Sequence, residues 1–273
     1  MNILNSEIRI SCIICVLNEI KNIDIIKRNI KLLSNYEVII IDGGSIDGTF
    51  EVIKNIPNIR VFQASRVGLL SQRLIGIREA SNEACFLLNA DDFLDNYDLE
   101  SDFKKLSIKG VHGIHIPLRC KDPKTFSEYW WDSYFLSLKF SYKDSKVLGR
   151  PCLTLKKLFI GLNVPEKVFN EDTYLGYAQE KLFGKLNYIT SEQSIYRKCP
   201  KHLNETIIQF YKYGRSDKKC VKNLANSIDL LFHILVRTFF YRTFQMIWIG
   251  RQKYALFTTL ASISRLIGLI DPR

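Results

Sequence analysis

The tetrapeptide Asn89-Ala90-Asp91-Asp92 carries the clearest chemical signal in the sequence. It follows the apolar, strand-like run from Ala84 to Leu88, and side chains two residues apart at the end of a strand share a face. Oxygen ligands on one face can hold Mg²⁺ or Mn²⁺, which keeps its remaining positions for water and phosphate groups. Asp91 and Asp92 are therefore candidate metal ligands. The alternative is that one of these carboxylates caps a following helical turn.

A second candidate segment is the turn DGGSIDGT, which runs from Asp42 to Thr49. Gly43 and Gly44 let the backbone turn sharply and approach a ligand closely. Asp42 can accept hydrogen bonds from a nucleotide base or ribose. The segment has neither the GxGxxG fingerprint of dinucleotide-binding proteins nor the Gly-Lys-Ser/Thr of a P-loop. The alternative is an ordinary strand–turn–helix joint.

The elements that must position these residues alternate between strands and helices. Buried strands are predicted at Ile8–Val16, Glu37–Ile41, Ile59–Phe62 and Ala84–Leu88. Helices are predicted at Asn22–Leu33, Thr49–Asn55 and Leu69–Ser81. This alternation indicates βαβ units and a parallel sheet, in which ligands bind beyond the carboxyl ends of the strands. Asn18 and Glu19 follow the first strand, so three strand ends bring polar residues to one edge.

Three stretches of the chain resemble a known family. They are IICVLNE (Ile13–Glu19), VIIIDGGSIDGT (Val38–Thr49) and FLLNADD (Phe86–Asp92), and the helical run Gly68–Ala80 resembles the helix between the last two. The chain is similar to the family-2 inverting glycosyltransferases, which have the GT-A fold. The resemblance is close through Asp92 and loose beyond it. It implies a Rossmann-like, mostly parallel α/β sheet flanked by helices, here with a C-terminal helical appendage.

The resemblance also implies roles for individual residues. Asp91 is the main metal ligand, and Asn89 stands in the place of the first Asp of the family's DxD motif. Asp172 falls where the family has its catalytic base, and Glu171 is the competing assignment. A nucleotide-diphosphate sugar, with UDP as the favoured nucleotide, is the implied donor. The residues expected to bind it are Val16, Asn18, Glu19, Asp42, Arg73, Asn89 and Ala90.

Departures from the family pattern keep a second function open. Cys15 stands where many relatives have Pro, and Gly43 replaces an Asp that is common in the turn. Asn89 is neutral, so the predicted metal site has one less negative charge. A non-catalytic module that binds sugar nucleotides or acts as a scaffold is the alternative to a metal-dependent glycosyltransferase.

The composition fits a globular protein with an anionic partner. The chain has 273 residues, of which 47% are hydrophobic, and a net charge of +11. Such charge suits nucleotide phosphates, anionic lipid or nucleic acid, but no nucleic-acid-binding motif is present. Seven cysteines, an odd number, favour a reducing compartment. The N-terminus shows no secretory signal. We therefore expect a cytoplasmic protein without a nucleic-acid partner.

The C-terminal part of the chain is basic and helical. We predict a glycosyltransferase domain over residues 1–205 and an amphipathic helical region over residues 206–273. Leu256, Leu260, Ile263, Ile267 and Ile270 follow one helical face. Such helices can lie on an anionic membrane surface, which predicts peripheral association with the cytoplasmic face and a glycan or lipid-linked acceptor. Packing on the catalytic domain and a tilted span are alternatives. The aromatic stretch Tyr129–Phe135 is predicted to be core, or else to contact the acceptor.

Overall fold

The structure, a computed structural model, describes residues 8–64, 68–141, 148–149, 151–162, 171–223 and 240–271. Its contacts divide the chain into two compact units. The first comprises Met1–Pro117, Tyr142–Lys167 and Leu175–Tyr196, and the second comprises Leu118–Ser141, Val168–Tyr174 and Arg197–Arg273. The segment Leu118–Ser141 thus groups with the C-terminal part of the chain. The division at residue 205 stays a prediction.

The first unit is built on a seven-stranded sheet. The strands of the chain are β1 Ile10–Val16, β2 Glu37–Asp42, β3 Arg60–Gln63, β4 Ala84–Asn89, β5 Asp92–Phe93, β6 Gly113–His115, β7 Leu118–Cys120, β8 Cys152–Leu155, β9 Tyr188–Thr190 and β10 Ile195–Arg197. The sheet has the order β3-β2-β1-β4-β8-β6-β9. Within it β8 runs antiparallel to β4 and β6, while the other neighbouring strands are parallel. The predicted mostly parallel sheet is confirmed.

Helices alternate with these strands in the first half of the chain. Their bounds are α1 Ile23–Leu32, α2 Thr49–Ile53, α3 Leu69–Glu79, α4 Leu99–Leu106, α5 Phe126–Ser141, α6 Glu171–Phe183, α7 Leu203–Asn223, α8 Arg242–Trp248 and α9 Ala255–Ile270. Short 3-10 turns cover Ile20–Asn22, Lys156–Phe159 and Gln252–Tyr254.

Burial on both faces explains why the central strands are continuous apolar runs. All seven residues of β1 are buried, as expected for a parallel strand covered by helices on both sides. On one face α3 packs against β1 and β2. Gly76 permits this close approach, because a Cβ there would lie 2.5 Å from Cγ2 of Ile13. The six cysteines whose side chains the structure describes are buried and form no disulfide with one another.

The second unit has an aromatic core of its own. Trp130, Trp131 and Phe135 on α5 are at most 8% exposed, and both tryptophan rings contact Phe210 of α7. The Trp130 indole N–H donates to Oγ1 of Thr258 on α9 at 3.0 Å. The prediction that this aromatic stretch forms core is confirmed for these three side chains.

Candidate functional site

Most of the predicted site residues lie at or just beyond the carboxyl ends of three neighbouring strands. In the register of the sheet, Val16 of β1 is level with Asp42 of β2, and Cys15 of β1 is level with Asn89 of β4. The strand order reverses between β1 and β4, and such a reversal opens a crevice in which α/β proteins bind ligands. The structure therefore brings the three strand ends to one edge, as the sequence predicted.

The loop after β1 is tied to the turn after β2. Asn18 adopts a positive φ of 55°. Its backbone N–H donates to Oγ of Ser45 at 2.8 Å, and its Oδ1 accepts from the N–H of Ile46 at 2.9 Å. Val16 is buried, and its carbonyl accepts from the N–H of Gly43 at 2.9 Å. Asn18 therefore shapes the turn as well as lining the edge of the sheet.

Asp42 is a fully buried carboxylate with one oxygen in use. Its Oδ2 accepts from the backbone N–H groups of Gly44 and Ser45, both at 3.0 Å. Its Oδ1 is buried and has no hydrogen-bond partner among the described residues. A buried acceptor left without a donor costs about 1–3 kcal/mol. The carboxylate is thus held by the turn with an acceptor available for a ligand N–H.

The glycine that replaces an Asp in the turn lies against the side-chain amide of Gln72. A Cβ on Gly43 would lie 2.3 Å from Nε2 of Gln72. Gln72 is 2% exposed and sits on α3, beside Arg73 in sequence. The amide of Gln72 therefore occupies the space that a side chain at position 43 would need. Sequence reasoning missed Gln72, because nothing in the periodicity of α3 distinguishes it.

Arg73 reaches the end of β4. It is buried, and its Nη2 donates to Oδ1 of Asn89 at 3.0 Å. A cation therefore stands beside the neutral residue that replaces the first Asp of the family motif. The amide oxygen of Asn89 is in use, which makes Asn89 a weaker metal ligand than the sequence suggested. Ala90, the next residue, is buried.

The two aspartates after β4 have different surroundings. Asp92 is fully buried, and its Oδ2 accepts from the backbone N–H of Asn89 at 2.8 Å. Its own carbonyl accepts from Nδ2 of Asn29 at 2.6 Å. The side chain of Asp92 thus closes the turn after β4 through one of its oxygens, and its role as a metal ligand stays a prediction. Asp91 is partly exposed and remains the candidate ligand.

The charge of Asp91 acts on a second carboxylate, that of Glu19. Partial burial raises the pKa of Glu19, the side-chain hydrogen bond from Asn22 lowers it, and the negative charge of Asp91 raises it further. Two carboxylates that repel each other in this way are stabilised by a cation between or beside them. The end of β1 and the end of β4 therefore form one acidic patch.

The carboxylates at this patch are suited to a divalent cation that is bound partly by the protein and partly by the phosphates of a ligand. The described side chains contain no cluster of three or more His, Cys, Asp or Glu residues able to hold a metal by themselves. Mg²⁺ commonly takes one or two carboxylates from the protein and completes its sphere with water and substrate phosphates. Asp91, with Glu19 nearby, supplies such a partial, all-oxygen set.

The predicted catalytic base lies outside the described side chains. Glu171 and Asp172 form the first two residues of α6, but the structure describes only their backbone. A helix N-terminus favours acidic residues for its own stability. The assignments of Asp172 and Glu171 thus stay predictions.

Comparisons with known proteins agree on the family of the chain. The family model described as Glycosyl transferase family 2 matches residues 11–155, more than half of the chain. Cholesterol galactosyltransferase from Borreliella burgdorferi is 31% identical over 98 residues, which are 34% of this chain and 27% of that protein. The chain therefore matches about a quarter of the length of this curated relative.

Two solved structures share the fold. The mannosyltransferase PcManGT from Pyrobaculum calidifontis, in complex with GDP-Man and Mn²⁺, aligns with a TM-score of 0.57 and 16% identity, over 93% of this chain and 87% of that one. S. aureus TarS 1-349 aligns with a TM-score of 0.53 and 14% identity, over 96% and 89%. At such identities the likeness establishes the fold alone.

Proposed function

Since this chain belongs to glycosyl transferase family 2 and has the GT-A fold, we propose that it is an inverting, metal-dependent glycosyltransferase. It moves a hexosyl-type sugar from a nucleotide-diphosphate donor to an acceptor hydroxyl. The observation that carries the proposal is the buried, unpartnered Oδ1 of Asp42 at the edge where β1, β2 and β4 end.

The geometry of Asp42 favours a uracil base. Uracil has one imide N–H, which matches one free acceptor oxygen. Guanine offers adjacent N1–H and N2–H donors that suit both oxygens of a carboxylate, but Oδ2 of Asp42 already accepts from Gly44 and Ser45. UDP-sugar is therefore the donor that we favour.

The diphosphate of the donor belongs near Asp91. Asp91 would hold Mg²⁺ or Mn²⁺, with Glu19 close by, and the cation would neutralise the charge that builds on the departing diphosphate. Arg73, whose guanidinium already reaches Asn89, adds positive charge at the same strand end. Val16, Asn18 and Ala90 shape the edge around the nucleotide.

The acceptor is activated by a carboxylate. Asp172 takes the proton from the acceptor hydroxyl as that oxygen attacks the anomeric carbon, with Glu171 as the competing base. Attack from the side opposite the departing diphosphate inverts the configuration. The name of one relative, cholesterol galactosyltransferase, gives a lipid, cholesterol, as the acceptor of that protein. A lipid-linked or surface glycan acceptor, met at the cytoplasmic face of a membrane, is the setting that we propose.

The proposal is tested by turnover of UDP-sugars with Mn²⁺. Removing one transition-state interaction of this kind costs about 10²- to 10³-fold in turnover, so we expect Asp91→Ala and Asp172→Ala each to lose at least that much. The exposed Asp24→Ala on α1 is the matched control and should keep full activity. Unchanged turnover in Asp91→Ala and Asp172→Ala would show that the site assignment is wrong. Loss in Glu171→Ala alone would move the base to Glu171.

The neutral Asn89 supports one other candidate, a non-catalytic module that binds sugar nucleotides. Its amide oxygen is already engaged by Arg73, which leaves Asp91 with little help in holding a cation. That module would bind UDP-sugars in calorimetry yet show neither transfer nor hydrolysis of any of them. Detectable turnover that depends on Asp91 excludes it.

A further inference from the structure

Helix α9 presents five large apolar side chains outward. Leu256, Leu260, Ile263, Ile267 and Ile270 are 74, 46, 39, 52 and 75% exposed. Their spacing places them on one face of the helix. These are the residues whose periodicity the sequence showed, and the structure leaves that face uncovered by the described residues.

Apart from Phe257 and Leu269, the inward face of α9 is made of small and polar residues. Oγ of Ser264 donates to the carbonyl of Ile207 at 2.8 Å, and Thr258 accepts from the indole of Trp130. A Cβ on Gly268 would lie 2.1 Å from the carbonyl oxygen of Tyr211. A helix on the surface of a water-soluble protein normally buries its apolar stripe and exposes its polar one. In α9 five large apolar side chains are exposed, while Thr258, Ser262 and Ser264 are buried.

Helix α8 continues the apolar area. Phe244, Ile247 and Trp248 are 59, 46 and 79% exposed. The two helices touch through the hydroxyls of Thr243 and Thr259, 3.2 Å apart. Tryptophan is enriched where proteins meet the headgroup region of a membrane, because its ring is apolar and its N–H is polar. We call the exposed apolar side chains of α8 and α9 the α8–α9 surface.

The charge next to this surface is positive. Arg251 and the exposed Lys253 lie in the turn between α8 and α9. No Asp or Glu occurs in the sequence from residue 240 to 270, and Asp271 is buried beside the hydroxyl of Tyr211. Apolar side chains flanked by cations complement a bilayer that carries anionic headgroups.

We propose that the α8–α9 surface docks the protein onto an anionic bilayer, with both helices lying in the interface. The inference deepens the membrane setting of the proposed function and does not depend on the donor site. Gln252–Ile270 is long and apolar enough for a span by composition, yet 44% of it is buried within the protein.

Flotation of the full-length protein with lipid vesicles tests the proposal. We expect binding to phosphatidylcholine–phosphatidylglycerol vesicles and much weaker binding to phosphatidylcholine alone. The variant Leu256→Glu/Ile263→Glu/Ile267→Glu should lose at least about tenfold in partitioning into vesicles. It removes apolar area that the proposal buries in the bilayer, and it adds negative charge. Lys253→Gln should lose about fivefold on anionic vesicles. Release by alkaline carbonate is expected of a protein that does not span.

A matched variant, Leu32→Glu/Ile108→Glu/Leu182→Glu, places the same charges on exposed apolar positions of the first unit and should still float. A rise in stability with UDP and Mn²⁺ shows that each variant is folded. If neither the original protein nor the variants are stabilised by UDP, that result counts against the donor site and not against membrane docking. Equal flotation of the α9 variant and the original protein overturns the inference. So does wild-type protein that fails to float, or that floats equally without anionic lipid. An α9 variant that only turns a dimer into a monomer assigns the surface to a second copy instead.

Discussion

At the scale of single residues, Asp42 shows how the fold prepares a binding group. Its carboxylate is fixed by two backbone N–H groups from the turn that follows it, so little rearrangement is needed when a ligand binds. The free oxygen is buried and therefore strengthens any hydrogen bond that it accepts.

Replacing Asp42 by Asn tests that role. The amide oxygen can still accept from Gly44 and Ser45, which should preserve the turn. The NH₂ group takes the place of the free oxygen, and because it can only donate, it cannot accept the hydrogen bond from the N–H of the ligand. A charge-assisted hydrogen bond contributes about 1.5–3 kcal/mol, so we expect the Kd for UDP to rise about 10- to 100-fold in calorimetry. The exposed Asp24→Asn is the control. An unchanged Kd in folded Asp42→Asn would remove Asp42 from the nucleotide site.

Glu19 gives the site a dependence on pH. Its pKa is raised by burial and by the charge of Asp91. Glu19 therefore becomes protonated at a higher pH than an ordinary glutamate, whose pKa is about 4.3. Because a bound cation needs the carboxylate charged, we expect Mn²⁺ affinity to fall as the pH decreases through this raised pKa. Titrating Mn²⁺ into the nucleotide complex at several pH values measures this. Glu19→Gln should flatten the profile, and an equally steep profile in that variant would contradict the assignment.

At the scale of elements, apolar runs made the central strands predictable. The predicted strands Glu37–Ile41 and Ala84–Leu88 differ from β2 and β4 by one residue at the carboxyl end. A strand buried on both faces must be apolar throughout, which leaves a strong local signal. The polar residues at the strand ends were predictable for the same reason, since the fold class dictates where parallel strands end.

Other elements had no comparable local signal. Helix α5 was not predicted, because Tyr129–Phe135 is apolar on too many sides to show a helical stripe. The burial of this stretch in the second unit depends on residues distant in sequence, such as Phe210 and Thr258. The antiparallel strand β8 depends on its partners in the same way. The hydrogen bond from Arg73 to Asn89 became visible only with the tertiary contacts.

Glu37 links three segments of the first unit at the start of β2. It accepts from Oγ of Ser11 on β1, from the N–H and Oγ of Ser81, and from Arg60 of β3 at 2.7 Å. Burial alone would raise its pKa, but these hydrogen bonds outweigh burial and lower it. A lowered pKa in the folded state means that Glu37 stabilises the protein above its unfolded pKa, and that this contribution is lost as the pH falls through the folded value.

Glu37→Gln should therefore lower the free energy of unfolding by about 1–3 kcal/mol near neutral pH. The difference from the original protein should shrink in acid, as Glu37 itself becomes protonated. Urea denaturation at several pH values measures both effects. Glu51→Gln, an exposed position on α2, should change little at any pH. If the difference in free energy of unfolding stays constant down to the lowest pH, the destabilisation comes from packing and not from the charge of Glu37.

The contact of α7 with α9 depends on two glycines. Cβ atoms on Gly214 and Gly268 would meet the backbones of Arg265 and Tyr211 within 2.1 Å. Alanine is the better helix former by up to about 1 kcal/mol, yet backbone atoms cannot move aside like a flexible side chain. We expect Gly268→Ala to destabilise the protein by about 1–3 kcal/mol in chemical denaturation. Leu256→Ala, exposed on the same helix, should be near neutral. A stabilised Gly268→Ala would mean that the helices are farther apart.

At the scale of the whole molecule, the net charge of +11 has two anionic partners in our account. We propose that the first unit binds a diphosphate near Arg73 and that the second meets anionic headgroups beside Arg251 and Lys253. Because the two sets of cations lie in different units, donor binding and membrane binding should respond separately to substitution.

Nucleotide binding should raise the stability of the protein, since a ligand that binds only the folded state shifts the unfolding equilibrium. At about 100 times its Kd, UDP with Mn²⁺ should stabilise by about 2.7 kcal/mol, which for a protein of this size is a rise in Tm of roughly 5–10 °C. Differential scanning fluorimetry measures this, with UDP in EDTA and AMP with Mn²⁺ as controls. Asp42→Asn and Asp91→Ala should lose about half of the shift or more, whereas Leu256→Glu/Ile263→Glu/Ile267→Glu should keep it. A shift that survives in Asp42→Asn and Asp91→Ala but disappears in the α9 variant would place the nucleotide in the second unit and contradict the site at the edge of the sheet.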